Sequence, residues 1–273
     1  MPKFLAKLFC SVELVKALVK NATAIAGASG LGLLAALIVF LAVSAGRVHV
    51  AAADVEPTNS LPNPYRTIEN WAKLPEGRSW GSTAGVTVDR NSNIWVAERC
   101  GANSCAGSDL APILEFDPSG KLLTSFGAGR FIFPHGITAD RDGNIWVTDG
   151  DAKDGKGHQV FKFSAKGKVL LALGKPGVAG AGEDTFNKPS AVAIAANGDI
   201  FVADGHGGES NARIVKFSKE GTFIMTWGKK GSAPGELNIP HALAFDSKGR
   251  LFVADRGNNR IQIFDQNGKF IDQ

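Results

Sequence analysis

Four stretches of the chain align with one another without gaps, and this repetition constrains the fold more than any other feature. They read AGVTVDRNSNIWVAER, HGITADRDGNIWVTDG, SAVAIAANGDIFVADG and HALAFDSKGRLFVADR, starting at residues 84, 135, 190 and 241. Each has two short runs of alternating apolar residues around a turn, which predicts a β-hairpin. A second hairpin pattern follows each stretch, as in QVFKFSAKGKVLLALG. Four-stranded units of about 40–50 residues are typical of propeller blades, so we expect an all-β propeller.

The positions that open the four inner strands suggest a site on the propeller axis. They are Ala84, His135, Ser190 and His241, so the histidines fall in alternate blades. Innermost strands line the central channel, and in a six-bladed ring alternate blades lie about 120° apart. A third ligand from the sixth blade would complete a trigonal set with one open position, as in a catalytic zinc site. The alternative is that each Pro-His is a turn whose imidazole bonds a backbone carbonyl.

Other repeated positions have structural interpretations. Buried carboxylates that bond turn backbones are expected at the ends of the second strands, and arginines that stabilise the blades at the starts of two third strands. His158 is expected at the surface or at a sheet edge. The aromatic residues that share one register are expected in the core. The residues concerned are Glu98, Asp149, Asp204 and Asp255; Arg213 and Arg260; and Trp95, Trp146, Phe201 and Phe252.

The N-terminal part predicts export. Residues 22–46 carry no charge and follow four lysines, a run long enough to span a bilayer with its N-terminus in the cytoplasm. The Ala-x-Ala pattern before Asp54 resembles a cleavage site. Residues 1–53 are therefore an anchor with a transmembrane helix at about 22–46, or a long signal peptide. Residues 54–64 contain three prolines and are expected to be a linker, with 65–273 as the propeller. That domain would be periplasmic or extracellular, held at the inner membrane if the helix is retained.

Charge and cysteine content limit the partners and the compartment. The first 53 residues hold five of the 30 basic and one of the 26 acidic side chains, so the remaining residues carry 25 of each. Because a nucleic-acid-binding domain needs a basic surface, we expect no nucleic acid as partner. Cys100 and Cys105 lie close together, and in an oxidising compartment they predict a disulfide that closes a small loop. A metal-binding pair is the alternative, without a second Cys or His pair nearby in the sequence.

The repeats resemble the NHL repeat, with its D-x-x-G turn, V-x-D strand end and R-I-x-x-F third strand, over residues 84–271. NHL propellers commonly have six blades, so the four repeats would be joined by two more, on the order of 100 residues at this repeat length, beyond Gln273. Residues 65–75, YRTIENWAKLP, are then expected to form a strand that completes the last blade of the closed ring.

Several segments narrow the resemblance to the peptidyl-α-hydroxyglycine α-amidating lyases, among them FPHGITADRDGNIWVTD, IPHALAF and FVADRGNNRIQIF. This resemblance implies a zinc enzyme that cleaves a C–N bond to give a peptide amide and glyoxylate. It implies zinc on three histidines, of which His135 and His241 are two and the third falls beyond Gln273. A calcium site near the axis also belongs to the family pattern. A chain without the third ligand is expected to be inactive, or nearly so.

The resemblance also implies catalytic positions. Arg99 and Arg256 match active-site arginines, whose planar guanidinium suits a carboxylate; a surface or blade-stabilising role is the alternative. The family's catalytic tyrosine is replaced by His206, which could serve as the base or could mark a different reaction. We therefore weigh two functions. One is a zinc lyase acting on a peptidyl-α-hydroxyglycine or a similar small carboxylate, and the other is a non-catalytic propeller that docks a protein or peptide.

Overall fold

The computed structural model describes residues 60–273, of which Thr67–Gln273 form one unit. Each repeat folds into a four-stranded antiparallel sheet whose strands follow one another in chain order.

The first blade contains β1 (Thr83–Val88), β2 (Ile94–Glu98), β3 (Ile113–Phe116) and β4 (Leu122–Phe126). The second contains β5 (Pro134–Ala139), β6 (Ile145–Lys153), β7 (Lys156–Phe163) and β8 (Val169–Leu173). The third contains β9 (Pro189–Ile194), β10 (Ile200–Asp204), β11 (Arg213–Phe217) and β12 (Phe223–Trp227). The fourth contains β13 (Pro240–Phe245), β14 (Leu251–Asp255), β15 (Arg260–Phe264) and β16 (Phe270–Asp272).

The blades are arranged as in a propeller. The first strand of each blade contacts the first strand of the next, so β1, β5, β9 and β13 follow one another around the axis. The structure therefore confirms the all-β fold with four blades of four strands. A short 3₁₀ helix, Arg256–Asn258, separates the last two hairpins.

The apolar cores lie between the blades. Trp95 of the first blade, Trp146 of the second and Phe201 of the third are almost fully buried, as the repeat pattern predicts, while Phe252 of the fourth is half-buried. Each of the three buried aromatic residues packs within a cluster shared with the following blade. Because burial of such a side chain stabilises a fold by about 1.5–3 kcal/mol, blade-to-blade packing is a main source of stability.

In the first, second and fourth blades, one aspartate in the turn shapes the inner hairpin, while Ala195 stands at this position in the third. In the second blade, Asp140 accepts backbone N–H groups from Asp142 and Asn144 at 3.0 and 2.8 Å. Its other oxygen accepts the indole N–H of Trp146 at 3.0 Å. In the first two blades the Asp and Trp therefore form one unit, in which the turn residue both caps the loop and satisfies the polar atom of a core side chain.

The carboxylates predicted at the ends of the second strands are fully buried and structural, as expected, although β6 continues beyond Asp149 to Lys153. They accept N–H groups from the backbone that leads into the first strand of their own blade, and Glu98 also accepts the N–H group of Gly101 in the turn that follows β2. Asp149 accepts the N–H groups of Ile132 and Phe133, and Asp204 accepts that of Asn187. Each carboxylate thus connects the entry of its blade to the second strand.

Residues 65–75 differ from their prediction, since they form no strand. Lys73 makes only an isolated bridge to Lys121. Trp71 packs on Phe116, with ring centroids 6.0 Å apart, and its indole N–H donates to the carbonyl of Pro118. Residues 71–74 therefore pack against an apolar face of the first blade instead of extending a sheet, while Tyr65 and Ile68 are exposed.

His158 also differs from its prediction, because it is buried rather than at the surface. It lies in β7, the third strand of its blade, with a left-handed φ of 53°. The backbone N–H of Lys188 donates to its Nδ1 at 3.3 Å. The loop that leads into β9 therefore covers this side chain, and His158 has a structural role.

The cysteines form the expected disulfide, which joins Cys100 and Cys105 across five positions. Both sulfurs are buried in the core between the first two blades. The predicted transmembrane segment at 22–46 lies outside the described residues. Within residues 60–273, no helix has the length and apolar character to cross a bilayer.

Candidate functional site

The four equivalent positions that open the inner strands meet at one axial cavity of about 210 Å³. Ala84, His135, Ser190 and His241 are each the second residue of the first strand in their blade. All four line this cavity. The register predicted from the aligned repeats therefore places the residues around a common axis.

Three imidazoles lie together at this place. The ring centroid of His135 is 4.8 Å from that of His241 and 4.4 Å from that of His206. The centroids of His206 and His241 are 5.1 Å apart. The structure thus brings together the two histidines predicted as metal ligands and the histidine predicted as a base.

A hydrogen-bond chain across three blades orients His135. Its Nδ1 is 2.7 Å from the carbonyl oxygen of Ser190. Because a carbonyl only accepts, Nδ1 carries the proton and Nε2 keeps its lone pair. The Ser190 hydroxyl in turn donates to the carbonyl of Pro240 at 2.6 Å, directly before His241. Ser190 is a positioning residue that sequence reasoning missed, although its place in the repeat register could have indicated it.

The three imidazoles are neutral near physiological pH. Burial lowers the pKa of His135 to about 3, with further lowering by the nearby His206. Burial followed by the nearby His241 lowers the pKa of His206 to about 4. The pKa of His241 is also lowered, first by burial and then by Arg256 and Arg99. Neutral imidazoles offer lone pairs, which is the form that binds metal ions.

His206 reaches the cluster on a glycine-rich loop between β10 and β11. The N–H groups of His206 and Gly207 both donate to the hydroxyl of Ser210, at 3.2 and 3.0 Å. Gly205 has a φ of 154°, and a Cβ there would lie 2.1 Å from the carbonyl oxygen of Asn211. The glycine is required because the backbone passes so close to its neighbour. The loop holds His206 beside the histidines of the neighbouring blades.

Two arginines lie near the cluster. The Arg99 guanidinium stacks on the ring of Phe133 at 3.4 Å from its centroid, and its Nη1 donates to Asn103 at 2.6 Å. Phe133 also packs edge-on against His206, with ring centroids 5.7 Å apart. Arg256 is exposed, and its charge lowers the pKa of both His206 and His241. The site therefore combines neutral imidazoles with two cations, and Phe133 is a second residue that sequence reasoning missed.

The cluster fits a metal ion. The candidate ligand atoms of the three histidines lie within 4.8 Å of one another. Two nitrogens bound to one zinc at about 2.0–2.1 Å are at most about 4.2 Å apart. Small side-chain movements would therefore bring all three nitrogens onto one ion, and imidazole is a ligand that zinc prefers.

Known proteins resemble this chain in sequence. The NHL repeat family matches residues 131–163 and 237–264. Peptidyl-glycine alpha-amidating monooxygenase A of Xenopus laevis is 45% identical over 170 residues, which cover 59% of this chain and 17% of that protein. Peptidyl-alpha-hydroxyglycine alpha-amidating lyase 1 of Drosophila melanogaster is 41% identical over 175 residues, covering 59% and 31%. NHL repeat-containing protein 3 of Homo sapiens is 35% identical over 208 residues, covering 74% and 57%.

The chain spans between 17% and 57% of the lengths of these three relatives. Among solved structures, one of a nidogen/laminin complex has a TM-score of 0.50 and 18% identity, covering 67% of this chain and 60% of that one. At this identity the likeness concerns the fold alone. The chain thus contains NHL repeats, folds into propeller blades, and is similar in sequence over part of its length to the peptidyl-α-hydroxyglycine α-amidating lyases.

Proposed function

We propose that this chain is an exported, zinc-dependent lyase that cleaves the C–N bond of a peptidyl-α-hydroxyglycine or a similar small carboxylate. The observation that carries the proposal is the group of neutral imidazoles on the axis, with Arg99 and Arg256 beside it. The homologous lyases support the reaction class. The Cys100–Cys105 disulfide supports an oxidising compartment, because such bonds rarely persist in the cytosol.

Each side chain of the site has a proposed role that follows from its chemistry. His135 and His241 would hold the zinc ion, which would supply a Lewis acid for an oxygen of the substrate. Arg99 and Arg256 would bind the substrate carboxylate, since a planar guanidinium matches two carboxylate oxygens. Phe133 stacks under Arg99 and limits the positions that its guanidinium can take. His206 would either accept the hydroxyl proton or join the other two histidines on the metal.

The reaction needs no oxidant or reductant. The substrate hydroxyl loses its proton to a base, and the oxygen electrons form the new C=O bond of glyoxylate. The C–N bond breaks at the same carbon, and its electron pair leaves with the amide nitrogen. That nitrogen takes up one proton and becomes the amide of the product. Atoms and charges therefore balance with one proton removed and one returned.

The experiment is an assay of glyoxylate release from a synthetic peptidyl-α-hydroxyglycine by the full chain, with and without zinc. We expect release that depends on zinc and that falls at least about 100-fold in Arg99→Ala, since a buried charge-assisted contact to the substrate contributes several kcal/mol. The sequence predicted an inactive chain, because the third zinc ligand was expected to lie beyond Gln273. His206 offers a third imidazole beside those of His135 and His241, so we expect zinc-dependent release from this chain.

The control is Lys175→Ala, which removes an exposed charge from a loop ion pair with Asp184. It should leave glyoxylate release unchanged. Zinc binding without any glyoxylate release would contradict the lyase proposal. The alternative, a propeller that docks a peptide, would then be tested by binding of the same peptide, which should be insensitive to zinc.

A further inference from the structure

We propose that His206 is a metal ligand, so that the second, third and fourth blades hold the ion with one imidazole each. The inference rests on the proposed function for the identity of the ion. It differs from the prediction made for this position, where His206 would replace a catalytic tyrosine as a base. Three imidazole ligands are then present within residues 60–273.

The distances favour this assignment. The ring of His206 is nearer to that of His135 than the ring of His241 is, with centroid separations of 4.4 and 4.8 Å. Ligand atoms of all three side chains lie within 4.8 Å of one another. An ion placed between His135 and His241 would therefore meet the His206 ring as well. A histidine that acts only as a base would be separated from the ion by the substrate hydroxyl whose proton it accepts.

The environment offers His206 few other roles. The backbone N–H of His206 donates to Ser210, but its ring nitrogens form no hydrogen bond within residues 60–273. The ring packs edge-on against Phe133 and His135. No carboxylate of the described residues forms an ion pair with it. A metal ion would give this half-buried ring the strong partner that polar groups in such places normally have.

The loop gives His206 the fixed position that a ligand needs. Ser210 binds the N–H groups of both His206 and Gly207. Asn211, next along the chain, donates to the buried Asp204 at 2.7 Å and to the carbonyl of Gly180 at 2.8 Å. The loop is thus tied to the strand before it and to a neighbouring loop. Ligands held by such contacts bind a metal without a large ordering cost.

The chemical consequence is a site with three neutral imidazoles and one open position. That set leaves two positive charges on the ion, with Arg99 and Arg256 nearby, so an anionic oxygen ligand is strongly favoured in the fourth position. The site would therefore select substrates with an ionised carboxylate next to a hydroxyl. Once on the metal, the coordinating nitrogen of His206 has no free lone pair, so it cannot also accept the substrate proton.

The test is metal binding by the full chain after removal of metal with a chelator. Zinc affinity is measured by isothermal titration, and cobalt(II) is added to record its visible absorption, which reports the number and geometry of ligands. His135→Ala, His206→Ala and His241→Ala are compared with Glu209→Ala, a change of an exposed side chain in the same loop. We expect all three histidine variants to lose more zinc affinity than the roughly 10- to 100-fold typical of a residue that only supports a ligand.

The cobalt spectrum should change to the same extent in His206→Ala as in His135→Ala, while Glu209→Ala keeps the wild-type values. His206→Tyr serves as a second variant, because it removes the imidazole but keeps an aromatic ring to pack in the loop. Wild-type zinc affinity and an unchanged cobalt spectrum in His206→Ala would overturn the inference. So would the absence of zinc binding by the wild-type chain. Glyoxylate release is recorded separately, so a chain that binds zinc through His206 but releases no glyoxylate contradicts only the lyase proposal.

Discussion

Asp149 illustrates how one position can break the pattern of its repeats. In the third and fourth blades the equivalent carboxylates, Asp204 and Asp255, each bond an arginine that opens the third strand. In the second blade Gln159 takes that place, opposite Asp149 in the sheet. Among residues 60–273, Asp149 has no ion-pair partner. It accepts backbone N–H groups from Ile132 and Phe133, yet burial raises its pKa to about 7.

Asp149→Asn should change how stability depends on pH. A raised carboxyl pKa means that the folded chain binds the proton more tightly than the unfolded chain does. The wild type therefore loses stability relative to the variant as pH rises from about 4 to about 7. The loss should be at most about 4 kcal/mol, at about 1.4 kcal/mol for each pKa unit.

The measurement is urea unfolding of both chains, without metal, at several pH values across this range. Any constant effect of the new amide cancels when the two chains are compared as a function of pH. Parallel stability curves for wild type and variant would show that Asp149 does not titrate in this range.

At the scale of the strand and loop, an arginine clamp, meaning an arginine that joins two strands and the entry loop of its blade, stabilises the third and the fourth blade. Arg213 opens β11 and donates to Asp204 at 2.8 Å. Its other nitrogens donate to backbone carbonyls of the loop that precedes β9, those of Ala181, Gly182 and Thr185. One side chain therefore joins the third strand, the second strand and the entry loop of its blade, which confirms its predicted structural role.

Arg213→Met should destabilise the chain by about 3–5 kcal/mol, because it leaves a buried carboxylate without its cation. The measurement is the free energy of unfolding in urea at neutral pH. The control is Lys175→Met, which breaks the exposed pair with Asp184 and should cost about 1 kcal/mol or less. Equal losses in the two variants would mean that the clamp contributes no more than a surface pair.

The disulfide acts on the loop next to Arg99. Cys100 follows Arg99 directly and has a left-handed φ of 56°, and both cysteines pack in the core between the first two blades. Replacing both by alanine should lower the free energy of unfolding by about 2 kcal/mol, the amount expected when so short a loop is no longer closed. Thermal unfolding with and without reductant measures it. A wild type that is indifferent to reductant would contradict the prediction.

At the scale of the whole molecule, the site links the blades. Its histidines come from three blades, and the chain His135, Ser190, Pro240 already connects these blades by hydrogen bonds. An ion on these histidines would add a second connection near the axis. Local sheets would keep their own hydrogen bonds, while movement of one blade against another would be restrained.

Zinc should therefore stabilise the folded chain. At free zinc of about 100 times the dissociation constant, the free energy of unfolding should rise by about 2.7 kcal/mol. This corresponds to an upward shift of the melting temperature by about 2–4 °C for each kcal/mol. Differential scanning calorimetry with zinc and with a chelator measures the shift. His135→Ala should abolish it, and an unchanged shift in that variant would place the stabilising ion elsewhere.

The repeats alone predict the blades, because alternation of apolar residues and turn chemistry act within a few residues of the chain. The gapless alignment also predicts which positions meet on the axis, since equivalent strands occupy equivalent places in a ring. This is why His135 and His241 could be grouped although 106 positions separate them in the sequence. The disulfide follows from close spacing and from the predicted compartment.

The tertiary structure decided what the repeats do not contain. His206 lies in the connection between β10 and β11, which differs in length and sequence from the equivalent connections of the other blades, so the repeats alone do not place its ring beside that of His135. Residues 65–75 were expected to form a strand, yet Trp71, Ala72 and Leu74 pack as irregular chain on the first blade. His158 is buried by a loop from the next repeat. In each case the outcome depends on packing between segments far apart in the chain, and local sequence patterns carry no information about such contacts.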